Sequence, residues 1–508
     1  MELKKLLEGV EIKRIIGSVS KEIQGIAYHS SQVERGFLFA ALRGLETDGH
    51  YYIGKAIEKG AEAILLEEGP EISASTLIYV PNSRQALAKV SSNFYGNPSS
   101  TLTLIGITGT NGKTTTTYLL EAILKKAGFD VGVLGTINYR FKGKVFPSTN
   151  TTPESLDLQR ILWEMSREGV SHAIMEVSSH GLILDRVFDC QFDCALFTNF
   201  SPEHLDFHKS LDHYFEGKKR LFSTLLVKSQ KRKKFAVINE DDPKAREIID
   251  GVKVPTLRYG LHPSCEISAD QIESTFEGLR FRLKTPKGEL FLHSRLIGDF
   301  NLYNIMASAA VGIGMEIPLE RIQEGIESVE GIPGRFEKVE NPKGIHLIVD
   351  YAHTHDALER ALKGLTNILK NIPEKGKVIT VFGCGGDRDR TKRPFMGEVA
   401  GRYSDLTIIT SDNPRTEDPL AIIQEVEKGL VSLPIERWSL GRLNSWRLKK
   451  GYLKIPDRRE AIRVAIRLAQ PHDTILIAGK GHEDYQIIGK QRFPFDDRIE
   501  AQKALEES

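Results

Sequence analysis

Cysteine is scarce in this chain, with four in 508 residues. Cys190, Cys194, Cys265 and Cys384 form no Cys-x-x-Cys pair, which argues against a structural zinc site and against a disulfide framework. No apolar run reaches the ~18 residues that a membrane-spanning helix needs. Residues 1–14 lack the long apolar segment of a secretory leader and read as an amphipathic helix. An excess of one charge is missing too: 69 basic and 68 acidic side chains leave a net charge of +1. That balance gives no overall attraction to nucleic acid or to an anionic membrane. The basic run Lys228–Lys234 has no interleaved aromatics and reads as a solvated loop. There is no internal repeat and no low-complexity segment. With 40% hydrophobic and 27% charged residues, the expectation is a soluble globular protein of the reducing cytoplasm, acting as a monomer.

A chain of this length exceeds one ordinary core, and three domains are expected. Residues 1–98 mix short strands (Phe37–Leu42, Ala63–Leu66) with a helix near Ile53–Lys59, and the turn-forming Gly96-Asn97-Pro98-Ser99-Ser100 reads as a linker. Residues 99–335 alternate apolar β-like runs (Leu102–Ile107, Val131–Leu134, Ala173–Val177, Ala195–Phe197, Phe235–Ile238) with helical patterns. A strand-rich stretch at about 265–297 and a helix Asn301–Gly314 follow. Residues 336–508 repeat the alternation, with strands His346–Val349, Val378–Phe382, Thr407–Thr410 and Thr474–Ile477. Such alternation predicts an α/β fold with mainly parallel sheets. Each strand of the last region runs into polar or glycine-rich sequence, and ligands of open α/β sheets bind outside the carboxyl ends of strands.

The most informative segment is Gly109-Thr110-Asn111-Gly112-Lys113-Thr114-Thr115. It lies between a β-like run and a helical pattern with Leu119, Leu120, Ile123 and Leu124 on one face. Backbone N–H groups at a helix N-terminus bind anions, a lysine adds positive charge, and the following hydroxyl suits magnesium. The standard phosphate-loop pattern wants glycine where Ile107 stands, so the strict motif fails and a shorter loop is read instead.

Other constellations admit two readings each. Glu176, ending an apolar run, is either a magnesium ligand beside the phosphate loop or a surface carboxylate on an edge strand. His204 and His208, among Glu203 and Asp206, are either metal ligands or solvated loop histidines, and no zinc spacing is present. Lys218 aligns with Tyr214 and Phe222 at helical spacing, where a lysine commonly packs its stem on apolar surface. Arg388, Arg390, Lys392 and Arg393 crowd one loop, and Asp412-Asn413-Pro414-Arg415 and Gly479-Lys480-Gly481-His482-Glu483 end two others. Arginine grips carboxylates with paired hydrogen bonds, and carboxylates grip ammonium groups. Together they suggest a pocket for a zwitterion; the alternative is surface ion pairing of little energetic consequence.

These motifs, with Asp350-Tyr351-Ala352-His353, combine into a resemblance over essentially the whole length: the chain resembles the Mur ligases, ATP-dependent amide-bond-forming enzymes of bacterial peptidoglycan synthesis and hence of cell-wall growth and division. The resemblance implies a central P-loop-type ATPase domain, flanked by an N-terminal α/β UDP-binding domain and a C-terminal Rossmann-like α/β domain. It implies ATP at Gly109 to Thr115, Asn301, Arg335, Asp350 and His353. It places a UDP-muramyl-dipeptide, UDP-N-acetylmuramoyl-L-alanyl-D-glutamate, at Ser30, Thr151, Thr152, Ser178 and Arg186. It places meso-diaminopimelate at Arg388, Asp412, Asn413, Pro414, Arg415, Gly479 and Glu483. Lys113, Lys218, His204 and Glu176 become the catalytic group, with magnesium held by Thr114, Glu176, His204 and a carbamylated Lys218. Departures from the family pattern are His29-Ser30-Ser31, Leu184, His355 and an added basic stretch at about Trp438–Lys454. A folylpolyglutamate-synthase-like ligase would share the ATP loop but lack the Asp-Asn-Pro-Arg pocket and the uridine-binding domain. A nucleotide-dependent switch would bind ATP without any zwitterion pocket.

Overall fold

The computed structural model describes residues 1–44, 47–69, 75–443 and 445–507, without the side chain of Asp206. Its frame is three sheets, each built mainly of parallel strands. The first runs, in spatial order, Arg14–Ile16, Thr76–Tyr79, Ala63–Leu66, Phe37–Ala40 and Gly25–Ala27, with the first strand antiparallel. The second has six parallel strands, in the order Thr256–Tyr259, Phe235–Asn239, Cys194–Phe197, Thr103–Thr108, His172–Glu176 and Val131–Leu134, followed by the antiparallel hairpin Asn138–Phe141 and Lys144–Pro147. The third runs Glu337–Val339 (antiparallel), His346–Asp350, Thr474–Ala478, Val378–Phe382, Leu406–Ile409, Gly451–Lys454 and Glu436–Arg437. A three-stranded antiparallel meander, Ser268–Ser294, is appended to the second sheet's domain.

The central strand Thr103–Thr108 shows why the pattern folds this way. Its side chains alternate between two faces. Ile105 and Ile107 join the core formed with the helices Lys113–Lys126 and Asp299–Gly314, while Leu104 joins the core on the opposite face with Leu158, Ile161 and Phe192. Gly106 is required there: a Cβ would lie 2.6 Å from the Phe192 ring. The same geometry explains the failed motif. Ile107 is fully buried inside the strand, so the loop begins only at Gly109.

One expectation is corrected and two are refined. The first 14 residues form only the four-residue helix Leu3–Leu6 and then a strand, because Gly9 turns the chain at φ +73° and Lys13 N bonds to Tyr79 O. The turn at Gly9 and the sheet edge together end the local helical pattern. The Gly96–Ser100 segment, read as a turn-forming linker, is indeed a turn. Asn97 turns through φ +54°, Pro98–Thr101 forms a helical turn with Pro98 and Ser99 buried, and Ser99 Oγ accepts from Gln191 N (3.1 Å). The basic run Lys228–Lys234 is largely the exposed loop expected, with Lys228, Arg232 and Lys233 exposed, while Lys231 Nζ meets Asp193 at 3.1 Å and Lys234 Nζ donates to two carbonyls.

The added basic stretch also has a structural role. Trp446 is buried, Arg447 forms a paired ion contact with buried Asp473 (2.6 and 3.0 Å), and Gly451–Lys454 inserts as a strand of the third sheet. Among the described residues, no helix is long and apolar enough to cross a membrane.

Candidate active site

The phosphate-loop segment turns sharply out of its strand. Gly109 has φ +145° and a Cβ there would collide with Thr198 Oγ1; Gly112 has φ +87° and starts the helix Lys113–Lys126. Both positions lie in the region that glycine tolerates. Lys113 Nζ folds back to donate to Gly109 O and Thr110 O, each at 2.8 Å. Lys218 Nζ reaches the same Gly109 O at 2.8 Å, from the far end of a helix, and lies 4.4 Å from the Tyr214 ring. Two lysines thus converge on one carbonyl. Burial, with Glu176 and Glu203 opposing, lowers the Lys113 ammonium below its usual range. Burial and then Lys113 hold Lys218 well below it. The stem-packing alternative for Lys218 fails, because its charged end is the buried part.

Glu176 does not lie on an edge. Its strand sits between Thr103–Thr108 and Val131–Leu134, and the residue is 1% exposed. Its carboxylate accepts from Thr136 N (3.0 Å) and Thr136 Oγ1 (2.9 Å). Thr136 Oγ1 also meets Thr151 Oγ1 at 3.1 Å. Thr152 Oγ1 donates to Glu176 O (2.9 Å) and meets Ser178 Oγ (3.1 Å), and Arg186 Nη1 donates to Thr152 O (3.0 Å). Four of the residues expected around the muramyl-dipeptide, Thr151, Thr152, Ser178 and Arg186, therefore form one network on the strand of Glu176. Ser30 lies apart, in the first domain, on the short turn Ser30–Gln32.

Thr114 Oγ1 accepts from Arg335 Nη2 (3.2 Å), and Arg335 stacks over Tyr351 at 4.6 Å. Asn301 is held through Ile297 O (2.8 Å) and donated to by Asn304 (2.9 Å), whose side chain abuts Gly112. Asp350 accepts from Phe336 N (2.7 Å) and Ala352 N (2.9 Å), and burial raises its carboxyl above the usual range. His353 Nδ1 meets Tyr351 O (2.9 Å), and burial pushes its ring down to about 4, so it is neutral at pH 7. Asn111, Gly112 and Thr115 line one cleft with Asn304, Arg335, Asp350 and His353, although the sequence spreads these residues over two domains.

His204 sits at φ +56°, 3.6 Å from Glu203 and edge-on to the His180 ring. His208 is instead packed inside, its Nε2 meeting Ser179 Oγ at 2.9 Å. Sequence reasoning passed over Glu203 as a functional residue. Burial alone would raise its carboxyl, but His204, His353, Lys113 and Lys218 around it bring it below the usual range. Among the described residues, no group of three or more His, Cys, Asp and Glu side chains is arranged to hold a metal ion.

The third site lies on the last sheet. Strands His346–Asp350, Thr474–Ala478, Val378–Phe382 and Leu406–Ile409 are neighbours in that order, so their trailing loops emerge side by side. Asn413 Nδ2 donates to Glu483 Oε2 (2.9 Å), and Gly479 lies against Asp412, where a Cβ would be 3.4 Å from Oδ2. Lys480, also passed over, is fully buried. Its Nζ meets Glu483 and Asn413 at 3.1 Å each and Asp412 at 3.5 Å. Burial and then Asp412 raise the Glu483 carboxyl. Pro414 is buried. Arg415, at φ +52°, is fixed by backbone bonds to the hairpin Tyr485–Pro494 and donates Nη1 to Gly386 O (2.7 Å). Arg388 is exposed beside it, with Nη1 donating to Asp387 O (3.1 Å). The surface-pairing alternative holds for Arg390, which pairs with Glu417, and for buried Arg393, which bridges Glu417 and Glu425. It does not hold for Arg388 and Arg415, which donate to the backbone carbonyls of Asp387 and Gly386.

Three family models match the chain: "Mur ligase family, catalytic domain" over residues 22–95, "Mur ligase middle domain" over 107–312, and "Mur ligase, glutamate ligase domain" over 334–481. The chain is 47% identical to the UDP-N-acetylmuramoyl-L-alanyl-D-glutamate–2,6-diaminopimelate ligase of Geobacter metallireducens, covering 100% of this chain and 99% of the relative. It is 42% identical to the ligase of the same name from Caldanaerobacter subterraneus, covering 100% of both. A solved structure of a UDP-N-acetylmuramoyl-L-alanyl-D-glutamate–2,6-diaminopimelate ligase superimposes with a TM-score of 0.69 at 30% identity, over 100% of this chain and 99% of that one. A Mycobacterium tuberculosis folylpolyglutamate synthase complexed with ADP and AMPPCP shares the fold at 17% identity, with a TM-score of 0.62 over 78% of this chain.

Proposed function

The chain belongs to the Mur ligase family, and from that premise we propose that it joins meso-2,6-diaminopimelate to UDP-N-acetylmuramoyl-L-alanyl-D-glutamate at the expense of ATP. It is an ATP-dependent, amide-bond-forming ligase. The observation that carries the reading is the convergence at Glu176: one strand holds the Thr151–Thr152–Ser178–Arg186 network, and beside it lies the phosphate loop with its two inward lysines.

The reaction follows from the chemistry of its reactants. A carboxylate and an ammonium ion do not condense directly, because the first is a poor electrophile and the second is protonated. The D-glutamyl side-chain carboxylate attacks the γ-phosphorus of ATP, giving an acyl phosphate and ADP. The deprotonated amine then attacks the acyl carbon, and phosphate leaves the tetrahedral intermediate. Phosphoryl transfer asks the protein chiefly for positioning and charge neutralisation. The helix N-terminus at Lys113, the Lys113 side chain and Arg335 meet that need.

The residues fit magnesium. Thr114 offers a hydroxyl and Glu176 a buried carboxylate, and burial shifts Lys218 in the direction that favours the uncharged amine carbamylation uses. Thr114 and Glu176 would hold one ion and His204 with carbamylated Lys218 a second, and bound magnesium would neutralise charge on the phosphate oxygens. In the third domain, Glu483 and Asp412 suit an ammonium group, and Arg388 and Arg415 suit a carboxylate. Closure of that domain over the cleft would exclude water. A folylpolyglutamate-synthase-like activity is disfavoured, since both the first sheet and the Asp412–Arg415 loop are present.

The test is phosphate release with UDP-N-acetylmuramoyl-L-alanyl-D-glutamate and a panel of amino acids. Release is expected only when both the nucleotide dipeptide and meso-diaminopimelate accompany ATP; equal turnover of L-lysine contradicts the assignment. Arg415→Ala is expected to reduce the preference for diaminopimelate over L-lysine about 10- to 100-fold, the scale of one lost hydrogen bond to a charged group. An unchanged ratio removes Arg415 from the specificity pocket.

A further inference from the structure

Asp356 is the second residue of the helix His355–Lys370, whose N-cap Thr354 accepts from Ala357 N (3.2 Å). A carboxylate is favoured in the first turn of a helix, so the helix itself holds Asp356 in place. Its Oδ2, however, points out of the third domain. It accepts from Ser201 Oγ (2.7 Å) and from Asn111 Nδ2 (3.1 Å), the side chain in the middle of the phosphate loop. Arg360, one turn along, reaches the same oxygen at 3.0 Å.

The two groups that Asp356 touches already form one hydrogen-bonded body. Thr110 N donates to Asn199 O (2.8 Å), Asn111 N to Asn199 Oδ1 (2.9 Å), and Ser201 N to Thr110 Oγ1 (3.0 Å). Thr198 Oγ1 and Asn199 Nδ2 both donate to Asn111 O, at 2.6 and 3.1 Å. The loop after strand Cys194–Phe197 therefore braces the phosphate loop from behind, and Asp356 closes the pair from the front. A carboxylate only accepts, so it also fixes the orientation of the Asn111 amide, with the NH₂ toward the helix.

We propose that Asp356 is a positioning residue through which docking of the third domain sets the geometry of the phosphate loop, so that ATP is held tightly only when the domain carrying the amino-acid pocket is in place. The proposal rests on the reading that this loop binds ATP. It gives the third domain a part in nucleotide binding that does not run through Asp350 or His353.

The experiment titrates the full-length protein with ATP by calorimetry, without acceptor substrates, alongside thermal melts. Asp356→Ala is expected to weaken ATP binding about tenfold with only a small fall in melting temperature, from the lost helix-end and Arg360 contacts. Asp356→Asn, whose carbonyl oxygen still accepts, should stay within about threefold of the unaltered protein. Ser201→Ala should weaken binding about threefold, and the double variant Asp356→Ala/Ser201→Ala should bind no worse than Asp356→Ala alone. ATP affinity within twofold of the unaltered protein for Asp356→Ala, or strictly additive losses in the double variant, overturns the proposal. Should Asp356→Ala melt early, Ser201→Ala decides from the other side of the contact, and no effect there overturns it. Phosphate release by the unaltered protein is measured in parallel. Its failure with the panel above would refute the ligase reading while leaving the affinity result to judge Asp356 separately.

Discussion

Lys113→Ala is expected to lower amino-acid-dependent phosphate release by about 10²–10³-fold, the scale observed when one preorganised donor is removed from a developing negative charge. The side chain lies across the mouth of the loop, held by two carbonyls at 2.8 Å, and needs only to exchange those acceptors for phosphate oxygens. Its partial burial magnifies the effect, since a charge shielded from water acts more strongly on its ligand. Lys218 approaches the same carbonyl, so the loss will not spread to the fold: Gly109 O keeps a donor at 2.8 Å. The melting temperature should therefore hold while turnover collapses. Activity within tenfold of the unaltered enzyme would show that the loop does not do the phosphate chemistry.

Arg458→Leu is expected to destabilise the third domain by about 3–5 kcal/mol, the cost of stranding one partner of a buried ion pair. Arg458 is 1% exposed. Its Nε and Nη2 each lie 2.7 Å from an oxygen of Asp497, which is fully buried. Nη2 also donates to Ala478 O (3.0 Å) and Nη1 to Ser411 O (3.4 Å), the residues that precede Gly479 and Asp412. One guanidinium thus ties the C-terminal helix to the floor of the amino-acid pocket. Chemical denaturation should show the loss, and Arg458→Leu/Asp497→Leu should recover much of it, because replacing both charges leaves no unpaired group. A loss under 1 kcal/mol in the single variant, or no recovery in the double, would place the stability elsewhere.

Local patterns were sufficient where a segment's partners share its own sequence rules. The apolar runs Val131–Leu134 and Val378–Phe382 are strands with the boundaries expected of them, because both faces of a parallel strand are buried and the run ends where burial ends. The phosphate loop was legible for the same reason: its glycines answer to backbone angles that the adjacent residues impose. The N-terminal segment was not legible. Its Leu3 and Leu6 have helical spacing, yet the helix ends before the left-handed Gly9 and Lys13 bonds to Tyr79 at the sheet edge. Gly9 marks the stop locally, but the pairing with Tyr79 is not recorded within those 14 residues. Lys480 stood inside a motif already singled out, but its role depends on Asp412 and Asn413, 68 and 67 residues away.

By itself the sequence determined the alternation of strand and helix, the phosphate loop and the family, since each is written in spacings of a few residues that the backbone and the hydrophobic period enforce. Tertiary structure alone decided that Glu176 lies on a central strand, that Lys113 and Lys218 meet at one carbonyl, and that Asp356 reaches Asn111 across 245 residues. Those contacts follow from the order of strands in the sheets and the docking of one domain on another, and a local pattern fixes which residues form a strand but not which strand becomes its neighbour.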